Sequence, residues 1–347
     1  MVACTNVSNP APIPSPTSAA HTSAADMRTR MELLMSEQVM IVAKESAAAV
    51  NHSDEYAAYA TLLGLNAADL SALVARAFGN TAGGQFMNAW STQDGLLVDY
   101  AIGVVTHNDD KANKAIEDFK SSFIPQFTQL LTSLAHLPAD FVTADLNLEV
   151  ADVRSMIDDY FAANFAAYFS DLHRAYLQTA NLAGAFAQQI ANMFPDKFPG
   201  DPNAAAVSRR VIVSLGMQAQ SYLETIETDA ALNSRDAEKA QALAAMSTNL
   251  GPASSLVEDP RFGLEWSREG TAISSYAASQ DPAARSELTD SFPTQMAAII
   301  RAPVPVIANH EKASIRVVDD QRSKSQSVAN DDRAAATSMQ PIADALS

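Results

Sequence analysis

FMNAWSTQDGLLVDYA at residues 86–101 and FGLEWSREGTAISSYA at residues 262–277 place both tryptophans of the chain in one pattern, Phe86-x3-Trp90-x9-Tyr100-Ala101 and Phe262-x3-Trp266-x9-Tyr276-Ala277. With 14 phenylalanines and 8 tyrosines in 347 residues, the two aromatic matches arise by chance about once in a thousand. Spacings of 4 and 14 residues put Phe, Trp and Tyr on one seam of a helix. The agreement extends outward. Asn66 and Asn249 precede the two aromatic helices, and Ser122-Phe123-Ile124-Pro125-Gln126-Phe127 parallels Ser291-Phe292-Pro293-Thr294-Gln295-Met296 downstream. The gap from Asn to Phe is 20 residues in the first copy and 13 in the second, and from Tyr to the later Phe it is 23, then 16. Both differences are 7, two helical turns, so every core residue keeps its facing.

The rest of the chain reads the same way. Only 12 glycines stand against abundant alanine, and no run of alternating β-branched and aromatic residues is bounded by turn signals. A first helix is expected from an N-cap at Asp26 to about Val50, then helices over about 54–78, 85–106, 110–134, 141–160 and 162–194. Gly79 fits a C′ position, and Gly83-Gly84 a lead-in to the third helix. The expected fold is therefore all-α: tandem up-and-down helical bundles with an internal repeat. A disordered Pro/Ser/Thr-rich tether occupies 1–26, a bundle of about six helices 27–200, a second, shortened bundle 204–302, and a polar tail 303–347. Pro303, Pro305 and the charged run Asp319 to Lys324 argue for that tail, with at most a marginal helix from about Asp331 to Leu346.

A net charge of −17 argues against nucleic acid, which needs a clustered basic face; Arg209-Arg210 is the nearest approach to one. No stretch approaches 18 consecutive apolar residues, so no bilayer-spanning helix is expected. Cys4 is the sole cysteine, which leaves no partner for an intrachain disulfide. Val2-Ala3-Cys4 resembles the end of a bacterial lipoprotein signal, and the segment that follows is too polar and Pro-rich to fold. Cys4 is thus the expected lipidation site, with the missing signal regions encoded upstream. The protein is then exported and membrane-anchored through its N-terminal lipid alone. The alternative is a cytoplasmic protein with a disordered tail.

The tether, Glu37, Asn66 and the Trp90-to-Tyr100 helix resemble uncharacterised exported bacterial proteins built of tandem helical hairpins, over about residues 27–200. That family pattern has histidine after the glutamate and again three residues after the tryptophan. This chain has Gln38 and Gln93 there, so any ligand held by those histidines is in doubt.

Motifs for chemistry are sparse. A ferritin-like site needs Glu-x-x-His pairs, but Glu37 is followed by Met40 and Glu55 by Ala58. There is no zinc spacing, haem-attachment motif, EF-hand loop, P-loop, dinucleotide fingerprint or Gly-x-Ser-x-Gly. No catalytic residue, metal or cofactor is expected. Of six histidines, only His173 falls mid-helix, and His310 falls in the expected tail. Phe161, Phe165, Tyr168, Phe169 and Tyr176 are helically spaced, which suits core packing or a groove. Three readings follow. The first is a non-enzymatic helical scaffold that binds a protein partner by helix-groove contacts. The second is an accessory subunit whose tails thread across neighbours. The third is a helical carrier or enzyme with a buried polar site at Asn66, His173 and Gln38.

Overall fold

The computed structural model describes residues 19–257 and 259–347, and among them there is no β-strand. Seven helices form the first part of the chain: α1 (Ser23–Val50), α2 (Tyr56–Phe78), α3 (Asn80–Val105), α4 (Asp109–Asp118), α5 (Ile124–Ala135), α6 (Ala139–Phe161) and α7 (Phe165–Met193). Seven more of at least seven residues follow, besides the short helical segments Gly251–Ser254 and Pro282–Ser286: α8 (Ala205–Leu232), α9 (Asp236–Asn249), α10 (Arg261–Ser279), α11 (Phe292–Ile300), α12 (Val304–Ser323), α13 (Val328–Ser338) and α14 (Gln340–Leu346).

The architecture turns on α1 and α8. Each is 28 residues long and packs against helices of both halves of the chain, including the other. Their burial is not confined to one stripe; Glu37, Gln38, Lys44 and Glu45 of α1 are buried, as are Glu224, Thr225, Glu227 and Thr228 of α8. Helices enclosed on all sides are ordinarily apolar all round. These two carry polar groups inward, and that makes the interior of the molecule chemically unusual.

The two aromatic patterns take matching surroundings. Trp90 is fully buried beside Phe86 and Phe127, with ring centroids at 5.6 and 5.8 Å; Trp266 is buried beside Phe262 and Phe292, at 6.3 and 5.2 Å. Tyr100 donates its hydroxyl to Asp158 (2.6 Å) under the guanidinium of Arg154, and Tyr276 donates to Asp319 (2.8 Å) under that of Arg285. Each half also carries a π turn, Phe119–Phe123 and Glu287–Ser291, ending two residues before Pro125 and Pro293. A proline nitrogen cannot bond back four residues and its ring collides with that carbonyl, so the ladder widens by one residue there.

Several expectations need correction. The first helix begins at Ser23, capped by the Thr22 hydroxyl, which accepts from the Ala25 N–H. Asp26 is inside the helix and pairs with Arg210. Ala20, Ala24 and Ala25 are buried, so the end of the expected tether, from residue 19, is part of the fold. Gly83 and Gly84 are helical. A Cβ on Gly83 would stand 2.8 Å from the Ser71 carbonyl oxygen, so the glycine permits close contact of α2 and α3.

The largest correction concerns 303–347. It is not a tail but three helices, with Ile307, His310, Val317, Val328, Ala335 and Ile342 in the core. Pro303 is the N-cap of α12 and Pro305 lies in its first turn, where a missing N–H costs nothing. The charged run falls mostly on the outer face, while Val317, Val318 and Gln321 turn inward. The helical part of the chain therefore continues past 302, to Leu346. By composition and length one helix, α2, could cross a membrane, with an 18-residue window of mean hydropathy 1.3. It packs against α1 and α3 and carries Asn66 buried at its centre, as a core helix does.

Candidate functional site

The buried polar side chains of α1 find partners far away in sequence. The Glu37 carboxylate accepts from Asn66 Nδ2 (2.9 Å) and Arg333 Nη2 (2.8 Å) on Oε2, and from the Tyr222 hydroxyl (2.9 Å) and Arg333 Nε (3.2 Å) on Oε1. Asn66 also donates to the Leu34 carbonyl (2.8 Å), and Asn249 makes the matching bonds to Gly216 O (2.8 Å) and Gln220 Oε1 (3.0 Å). Burial pushes Glu37 above the usual carboxylate range, while Arg333, Asn66 and Tyr222 pull against it. Two turns further along α1, Lys44 pairs with the buried Asp332, which also accepts from Tyr59 and Thr225 (both 2.9 Å). Helices α1, α2, α8 and α13 are thus joined by one polar network, and each charge in it has an opposite partner.

Above Glu37 the seam between the two halves opens into a cleft of about 660 Å³. Its walls are the first half of α1, the α2 face carrying Asp69 and Arg76, the start of α8, and α13 with Gln340. Four arginines line it: Arg30, Arg76, Arg210 and Arg333. Arg333 bridges Glu37 and Asp69 (2.8 Å to each). Arg210, almost fully buried, bridges Asp26 (2.6 Å) and Asp344 (2.8 Å) and donates to the Ala20 carbonyl (3.1 Å), which ties both ends of the described chain to α8.

A second interior cluster lies where α8, α10 and α12 meet. Glu224, Glu227, Glu269 and Glu311 are buried there, and none of their eight carboxylate oxygens makes a well-formed hydrogen bond among the described residues, although Ser314 and Ser274 lie close to Glu224 and Glu227. Lys239 is the nearest cation, 3.8 Å from Glu227. Burial and mutual repulsion raise Glu224 to about 7 and hold Glu269 and Glu311 well above the carboxylate range, so these groups keep protons near neutrality. No three ligating side chains among the described residues are placed to hold a metal ion. His310, beside Trp266, is also buried; desolvation lowers it to about 4, which leaves a neutral ring.

The residues singled out from sequence are not brought together. Asn66 joins the Glu37 network, Gln38 donates instead to Asp94 (2.6 Å), and His173 sits at the exposed rim of a separate pocket of about 330 Å³ walled by Met40, Phe169 and Leu223. Gln93 donates to Glu149 (2.6 Å). Tyr168, Phe169 and Tyr176 are core residues, and Phe161 is partly exposed. Cys4 lies outside the described residues. Compared with known proteins, the chain matches no family model, no curated protein and no solved structure.

Proposed function

We propose that the chain is a non-enzymatic helical binding protein that takes a small ligand into the seam cleft, exported and tethered to a membrane through Cys4. The observation that carries this reading is the cleft itself. A concavity of about 660 Å³ falls within the size range of ligand sites, and its walls come from both halves of the chain. Occupancy would therefore bear on how α1 and α2 sit against α8 and α13. The polar groups beneath it suit holding rather than turnover. A carboxylate has about four acceptor positions, and the four donors on Glu37 fill them, so it has no free lone pair to abstract a proton.

The test is a thermal-shift screen of uncharged, cationic and anionic solutes of metabolite size, run beside native mass spectrometry of the purified chain. Thr337 lines the cleft and is exposed, so Thr337→Trp narrows the site without entering the core. Ligands that raise the melting temperature of the parent protein and not of Thr337→Trp support the reading. If no solute of any charge protects and no ligand is retained, it is wrong.

A further inference from the structure

The lining of the cleft has a charge pattern that selects the ligand. Each lining carboxylate is ion-paired, but the cations are shared: Arg210 serves Asp26 and Asp344, and Arg333 serves Glu37 and Asp69. Arg210 and Arg333 are in turn spent on those pairs. Arg30 and Arg76 remain, and neither makes an ion pair or hydrogen bond among the described residues. Arg76 is nonetheless held in place, with its guanidinium stacked over the Phe198 ring at 5.9 Å. A third donor is free as well. The Thr29 hydroxyl lines the cleft, is only 3% exposed, and has no hydrogen-bond partner. A buried hydroxyl without a partner is destabilising, and a bound acceptor would recover that loss.

Two guanidinium forks and a hydroxyl with no hydrogen-bond or ion-pair partner among the described residues therefore share one concavity, whose lining carries four guanidiniums against three ion-paired carboxylates. This occurs in a chain whose net charge is −17. Such a surface repels anions in general, so a cleft whose charges balance acts as a filter rather than as a general attractor. Planar guanidinium forks match carboxylate and phosphate oxygens in pairs. Met27, Leu33 and Leu34 on the α1 wall supply apolar contact for a carbon skeleton.

We infer that the seam cleft binds a small organic polyanion, its anionic oxygens shared between Arg30 and Arg76, with the Thr29 hydroxyl donating to one of them. The inference rests on the ligand-binding reading of the cleft and adds the chemistry of what fills it. A polycarboxylate and a phosphate monoester share this chemistry, and the test carries an arm for each.

Isothermal titration of the full chain with citrate, with phenyl phosphate, with inorganic phosphate and with uncharged glycerol reads the preference directly. We expect citrate or phenyl phosphate to bind, glycerol not to, and salt to weaken the binding anion. Arg30→Gln and Arg76→Gln should each weaken binding about tenfold or more, in line with the loss of one charge-assisted pair. Both side chains are exposed, and matched melting curves without ligand would show that the variants fold. Tight binding of citrate with no response to phenyl phosphate assigns a carboxylate ligand; the reverse assigns a phosphate monoester. Inorganic phosphate binding as well as either organic anion would overturn the claim that the carbon skeleton is recognised. Anions that bind the double variant as well as the parent would overturn the site. If only uncharged or cationic solutes protect the parent protein and lose their effect in Thr337→Trp, the anion inference fails while the cleft remains a ligand site.

Discussion

Glu149→Gln offers the sharpest test of the interior electrostatics. Glu149 is fully buried, accepts one hydrogen bond from Gln93 at 2.6 Å, and its second carboxylate oxygen has no donor. Burial, helped by the charge of Asp145 beside it, raises it from 4.5 to about 8. Below pH 4.5 the acid is protonated whether the chain is folded or not, and its ionisation costs nothing. Between 4.5 and about 8 the unfolded chain releases its proton while the folded chain keeps it, so stability falls as pH rises. Above about 8 the whole penalty applies, about 5 kcal/mol on the linkage relation. Glutamine preserves the shape and the acceptor for Gln93 but cannot ionise. Urea titrations at pH 5 and pH 8 should therefore show the variant near the parent at pH 5. At pH 8 it should be more stable by about 4 kcal/mol, the part of the penalty acquired over that interval. Parallel pH dependence in the two proteins would mean that Glu149 is hydrated or paired in the folded state, and would refute the argument for the buried carboxyl groups generally.

Deleting residues 303–347 should abolish cooperative unfolding, since it removes the partner of Glu37 and the helices over Trp266; a truncated chain with an unchanged calorimetric transition would show that α12–α14 are dispensable. Trp90→Ala and Trp266→Ala should each cost about 3–5 kcal/mol in denaturant titration, the range for emptying a large aromatic site; a loss under about 1 kcal/mol at either position would show that its surroundings close over the gap. The chain expressed with its native upstream sequence should partition with membranes, and the Cys4→Ser variant should not, because two acyl chains give firm anchoring. Both proteins in the aqueous fraction would eliminate the tether.

Periodicity made the helices legible, and the aromatic seam made Trp90 and Trp266 legible as core residues. Prolines misled at α12, because Pro303 and Pro305 look like breakers in a string of letters and act as a helix start in three dimensions. The charged run after them hid Val317 and Val318, whose inward face shows only when the 3.6-residue period is followed through the charges. Glu37 and Asn66 stood out early, yet the cleft above them did not. Arg30, Arg76, Arg210 and Arg333 come from α1, α2, α8 and α13, and no local pattern announces that four such positions will face one another. His173 drew notice for lying mid-helix, which says nothing about which helices surround it.

The Glu37–Arg333 pair has a meaning in time as well as space. Its members are 296 residues apart. At ordinary translation rates of about 5–20 residues per second, Glu37 leaves the ribosome roughly 15–60 s before the arginine that neutralises it. The helix at the centre of the finished molecule is thus made well before the segment that encloses it. For that interval α1 must stay hydrated at Glu37 or keep a proton there. Folding of this chain waits on its C-terminal segment, so a nascent chain stalled before residue 333 presents an open, half-polar helix to whatever holds it.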